Sequence, residues 1–184
     1  MRALVVYESM YGNTHVVASN IADGLRATHE VTLVPVAAAT ADLVARADLL
    51  VVGGPTHMHG LSTAASRQLA AKAAASLGSE VKLDQDADGP GLRDWLSSLA
   101  DGQALAAAFD TRLTEIAVLT GRASYGIRRL LKRHGYRLVM PPESFLVSQR
   151  NILLKAEASR ARRWGAAVGA AATTVYVRAG VRAA

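Results

Sequence analysis

Ser9-Met10-Tyr11-Gly12-Asn13-Thr14 packs three hydroxyls, a carboxamide and a glycine into six residues. It follows an apolar run at residues 3–7 and leads into a segment with Val17, Ile21 and Leu25 at helical spacing. A strand that empties through such a turn into a helix makes a place to hold a phosphate. The first N–H groups of a helix lack internal partners, and the helix dipole adds partial positive charge at that end. Gly12 lets the backbone approach an anion, and Ser9, Asn13 and Thr14 add side-chain donors. The plainer reading of the same residues is a strand–helix turn capped by Asn13 or Thr14. A second turn, Gly53-Gly54-Pro55-Thr56-His57-Met58-His59-Gly60, carries two histidines and a methionine that a plain turn does not need. A third, Asp110-Thr111-Arg112, closes another apolar run.

Other chemistries find less support. The chain has no cysteine, which removes disulfides, thiolate metal sites and cysteine nucleophiles. Ser9 lacks the Gly-x-Ser-x-Gly elbow and has no identifiable base, so no catalytic residue is assigned. His57 and His59, with His15, have no further ligand at a standard spacing, and no metal site is expected. Asp84, Asp86 and Asp88 are spaced as in a calcium loop, but no closing glutamate follows, and the run reads as a solvated acidic loop. The net charge of +6 is compatible with acidic partners, while nucleic acid is not expected. No charged and apolar leader precedes the first strand, and the weakly polar stretch at 164–177 is shorter than the roughly 20 residues that span a bilayer. A soluble, cytoplasmic protein is expected.

The elements that position these turns follow from periodicity. With 184 residues, 51% of them hydrophobic, the chain can bury the core of one domain. Apolar runs predict strands at 3–7, 30–36, 48–53, 103–109 and 136–140. Pro35 lies near the end of the second, and Pro141-Pro142 interrupts the last before extended chain resumes at 144–147. Helices are predicted after the first turn, after Thr40 with Leu43 and Val44, from Ser62 or Thr63 to about Ser76, over 92–99, over 124–133, and from about 153 to 171. Residues 77–91 read as a polar loop, and 111–120 as a short strand or a turn of helix. The terminal stretch 173–177 has strand propensity. Trp95 and Trp164 read as packing residues, and the arginines at 128, 129, 160, 162 and 163 as outward helix faces. Strands alternating with helices give a doubly wound five-stranded parallel sheet, taken in the order 2-1-3-4-5, as a domain over 1–172 with a tail at 173–184. In that order the strands reverse between 1 and 3, so the three turns converge on one crevice.

On Ser9-Met10-Tyr11-Gly12-Asn13-Thr14 and Gly53-Gly54-Pro55-Thr56 the chain resembles the flavodoxin family, over residues 3 to about 170. The same residues resemble flavodoxin-like NAD(P)H:quinone oxidoreductases. The resemblance implies FMN as cofactor, with Ser9, Met10, Tyr11, Gly12, Asn13 and Thr14 around its phosphate, Tyr11 through its backbone. It implies Pro55, Thr56, His57, Met58, His59 and Gly60 on one side of the ring and Asp110, Thr111 and Arg112 on the other. Tyr11 stands where the family has threonine, and His57, Met58 and Phe109 are the candidates for its flanking aromatics. Met58 or His59 replaces its flexible glycine, and a side chain there resists the left-handed conformation, which would hinder the family's peptide flip beside the flavin. The implied function is electron transfer to a redox protein, as a monomer or dimer. The chain is basic where the family is acidic, which suggests an acidic partner on the arginine faces of the last two helices. The alternatives are an NAD(P)H-dependent quinone or flavin oxidoreductase of the same fold, and a flavin-free binding or regulatory module.

Overall fold

The computed structural model describes residues 1–57, 59–76, 81–114 and 121–182. Met58, the first part of the 77–91 loop and most of the ambiguous stretch at 111–120 lie outside the described residues. Strands β1 (Arg2–Tyr7), β2 (Glu30–Pro35), β3 (Leu49–His57), β5 (Leu105–Leu113), β6 (Arg137–Leu138) and β7 (Glu143–Val147) join in parallel, in the order β2-β1-β3-β5, with β6 and β7 both on the far side of β5. The short β4 (Gly60–Leu61) turns back antiparallel on β3. The expected order 2-1-3-4-5 holds once β6 and β7 are taken as one interrupted fifth strand. Pro141 and Pro142, which cannot donate to a ladder, fall in the break.

Helices α1 (Asn13–Leu25), α2 (Ala41–Ala45), α3 (Ala64–Ala75), α4 (Leu92–Ser97), α5 (Ala123–Arg133) and α6 (Glu157–Arg182) connect and cover the strands. Alternate strand residues face opposite layers, as a pleat requires. Ala3, Val5, Tyr7, Leu49, Val51, Ala107 and Phe109 pack under α1 and α6. Leu4, Val6, Leu50, Val52, Ala106 and Ala108 pack under α2, α4 and α5. The predicted strands and most helices are present. Thr40 caps α2 by accepting from the Leu43 amide, and Thr63 caps α3 reciprocally with Ser66.

Four expectations are corrected. Thr173–Val177 is helical, not extended, because α6 continues to Arg182. The continuation follows from packing. Gly24 of α1 and Gly165 of α6 bring backbone against backbone, so that a methyl on Gly165 would stand 2.2 Å from the Ile21 carbonyl oxygen, and Gly169 of α6 packs on the Thr28 and Leu25 side chains. Phe109 is wholly buried in an edge-to-face triad with Phe145 and Trp164, at centroid distances of 6.1–6.3 Å, and flanks no ligand. Arg160 is not a solvated cation: it bonds Glu143, Glu157 and the Ser144 carbonyl and lies 4.4 Å over the Phe145 ring. Finally, the basic faces of α5 and α6 sit on opposite layers and do not form one patch.

Asp110 ties β5 to α5. It is fully buried, its Oδ2 accepts the Ser124 amide at 2.7 Å, and burial pushes its carboxyl above the ordinary 3.8. The folded chain therefore holds this proton to higher pH than the unfolded chain does. The associated stability is full below about pH 3.8 and is lost as pH rises through the folded value. Asp110→Asn keeps an acceptor for Ser124 and should gain in Tm on the parent between about pH 4 and 7; a difference that stays constant across that range would contradict the account. Gly165→Ala should destabilise by about 1–3 kcal/mol in urea unfolding, because overpacking against Ile21 exceeds the roughly 1 kcal/mol of helix propensity that alanine adds.

Candidate functional site

The carboxyl ends of β1, β3 and β5 stand side by side: Tyr7 pairs with Gly53, and Gly53 with Phe109. The register continues past the β1 end with Gly54 opposite Asp110 and Pro55 opposite Thr111. Gly53 is required here, since a methyl would strike the Phe109 ring at about 2.1 Å. The three turns singled out in the sequence therefore do meet at one edge of the sheet.

At the first turn, α1 is capped by Gly12 in the left-handed region, at φ 88°, with no side-chain cap. Neither Asn13 nor Thr14 caps the helix, as the plainer reading supposed; both lie inside its first turn. No acidic residue occupies that turn, and no atom of the described residues lies within 4 Å of where a Gly12 Cβ would be. Ser9 is buried, and its Oγ accepts the Gly12 amide at 3.1 Å. Met10 is buried against Ala70 and Ala87, which leaves only its backbone at the corner. The Tyr11 hydroxyl donates to the Ala70 carbonyl at 3.0 Å, so its ring is drawn toward α3 and does not fill the corner.

Neighbouring corners are fastened to this one. The Thr14 and Thr111 hydroxyls meet at 2.8 Å, both buried. The Asn13 side-chain Nδ2 donates to the Asn151 carbonyl at 2.8 Å, and its Oδ1 accepts the Leu153 amide at 3.0 Å. The side chains of Asn13 and Thr14 are thus spent on architecture, and the donors they offer an anion are their backbone amides. The segment 148–153 was missed by the sequence reading. Its one local signal is Asn151, an asparagine held at φ 57°.

The second turn is a tight hairpin in which His57 pairs with Gly60. Thr56 Oγ1 accepts the Ala123 amide at 3.0 Å, fixing the turn to α5. His57 Nδ1 lies 3.3 Å from Ser66 Oγ, and burial lowers the imidazole below its usual value, which keeps the ring neutral at pH 7. His59 occupies φ 77° and bridges to Gly121, so a side chain does not keep this position out of the left-handed region, contrary to the sequence argument. Asp110 points into the protein, whereas Arg112 is half-exposed at the rim and donates to the Leu113 carbonyl. Glu8, buried next to the corner, turns its Oε2 away to the Leu92 amide at 2.6 Å.

These features fit the phosphate of FMN. The first turn of α1 has no side-chain cap and no acidic residue of its own, and it begins at a left-handed glycine. Ser9, Gly12, Asn13 and Thr14 would hold the ester, and Pro55, Thr56, His57, Thr111 and Arg112, at the same sheet edge, would flank the ring.

No curated protein matches the chain. Among solved structures, a flavodoxin from the domain Archaea superposes with TM-score 0.65 at 18% identity, covering 94% of this chain and 99% of that one. Flavodoxin 2 from Bacillus cereus gives 0.62 at 20% identity, covering 91% and 97%. The rubredoxin oxygen:oxidoreductase of Desulfovibrio gigas gives 0.60 at 16% identity, covering 94% of this chain but 36% of that one. At these identities the likeness is one of fold. The flavodoxin family model matches residues 5–96, which is half of the chain and the half that holds the glycine corner, and this chain belongs to the flavodoxin family.

Proposed function

We propose that the chain binds FMN at the β1–α1 corner and works as an electron-transfer protein. The observation that supports this most directly is the first turn of α1, which begins at a left-handed glycine, has no side-chain cap and is held by neighbouring corners through the Asn13 and Thr14 side chains. FMN, when bound, supplies the redox chemistry, and the chain supplies binding, orientation and electrostatics. The amides of α1 and the Ser9 hydroxyl bind the phosphate. Thr14–Thr111 and Thr56–Ala123 hold the flanking turns at fixed separation. His57, neutral at pH 7, lines the ring without adding charge. Among the described residues no helix is long and apolar enough to cross a membrane, and we place the protein in the cytoplasm. Its partner is a redox protein, and the exposed Arg129, Lys132 and Arg133 of α5 suit an acidic one.

Titration of the purified protein with FMN should quench flavin fluorescence to a 1:1 endpoint, and the loaded protein should not consume NAD(P)H with quinone as acceptor. Turnover of NAD(P)H would instead establish the oxidoreductase alternative, and a protein that stays colourless would overturn the flavin reading. Gly12→Ala should remain folded yet bind FMN roughly tenfold more weakly. The left-handed conformation costs a residue with a Cβ about 1–2 kcal/mol, and relief of that strain turns the first amides away.

A further inference from the structure

A cavity of about 430 Å³ borders the β1–α1 corner, with Tyr11 and Gly12 in its lining. It is lined in part by His15 of α1 and by Asp84 of the loop that follows α3. His15 Nδ1 is 3.5 Å from Asp84 Oδ2, and one ligand atom from each of His15, Asp84 and Asp86 falls within 4.8 Å of the others. Contrary to the sequence expectation, Asp84 is not solvated. Its side chain is only 5% exposed, and its Oδ2, the atom turned toward the imidazole, has no hydrogen-bond partner among the described residues. Buried carboxylates are paired or coordinate metals, and beside Asp84 stand an imidazole at 3.5 Å and a second carboxylate.

We propose that His15, Asp84 and Asp86 bind a divalent transition-metal ion. Tetrahedral ligands at about 2.1 Å from a zinc ion stand about 3.4 Å from one another, which is the separation already present between His15 and Asp84. The third ligand atom needs to close by about an ångström. The groups behind the ligands are of the expected kind. The Asp86 Oδ2 accepts the Tyr7 hydroxyl at 2.8 Å, and the His15 ring stacks on Tyr7 with centroids 4.6 Å apart. The Asp84 amide donates to the Met10 carbonyl at 2.8 Å, which anchors the loop to the β1–α1 corner. The segment Asp84-Gln85-Asp86-Ala87-Asp88-Gly89 has the spacing of a calcium loop, including its glycine, but Asp88 is exposed and an imidazole takes part. An N-donor with two carboxylates selects zinc or a neighbouring transition metal over calcium and magnesium, which take oxygen ligands. The cavity supplies an entry path and leaves a coordination position open to solvent.

This inference does not depend on flavin, and calorimetry of the full chain with Zn²⁺, Mg²⁺ or Ca²⁺ alone tests it. Zn²⁺ should bind at one site and raise Tm, while Mg²⁺ and Ca²⁺ should not compete at tenfold higher concentration. Asp84→Asn and Asp86→Asn should each weaken Zn²⁺ at least thirtyfold with circular dichroism unchanged. His134→Gln, which removes the other histidine–aspartate pair, should leave the affinity as it was. Absence of Zn²⁺ binding, binding that survives both aspartate variants, or loss on His134→Gln would overturn the proposal.

Discussion

A helix that begins deep in a protein must find something to accept its first N–H groups, and in this chain no side chain at the N-cap does so. The rest of the functional edge is organised around that unmet requirement. β1 is buried along its length after Arg2 and delivers the chain to the start of α1 at a fixed height. Gly12 then turns it through the left-handed region, and the amides that follow carry the positive end of the α1 dipole.

The neighbouring corners secure this terminus rather than close it. Thr111 reaches Thr14, Asn151 and Leu153 reach Asn13, and Ala70 draws off the Tyr11 hydroxyl. The bonds to Asn13 and Thr14 consume side chains that the sequence offered as anion ligands, which leaves their backbone amides as the donors at the corner. This explains how tyrosine can replace the family's threonine: at position 11 the ring is a strut to α3, and the amide is what remains at the corner.

The fold was legible because buried parallel strands read as apolar runs, and the helices between them as one-sided stripes. The interruption at Pro141-Pro142 was legible too, since proline removes a donor from any ladder. The remainder depended on contacts that local pattern does not encode. Thr173–Val177 has strand propensity but lies in α6, where packing along α1 through Gly24, Gly165 and Gly169 sets the conformation. Phe109 looked like a ring-stacking residue because its strand ends at the site. The pleat instead sends it inward to Phe145 and Trp164. Asp84 looked solvated because its loop is acidic, yet the Met10 carbonyl fixes that loop and the fixing buries the carboxylate. Of the three turns, the first was read in place, but the Asn13 and Thr14 side chains it offered as donors bond Asn151, Leu153 and Thr111 instead. The third was read in place but with Asp110 facing the wrong way.

The central claim is that the α1 terminus grips a phosphate, and amide NMR with paired ligands tests it most directly. Titration with FMN should displace the Gly12, Asn13, Thr14 and His15 amide resonances more than any others, and riboflavin, which has the ring without the phosphate, should bind at least a hundredfold more weakly. Equal affinity for the two ligands, or FMN binding that leaves those amides unmoved, would contradict the account.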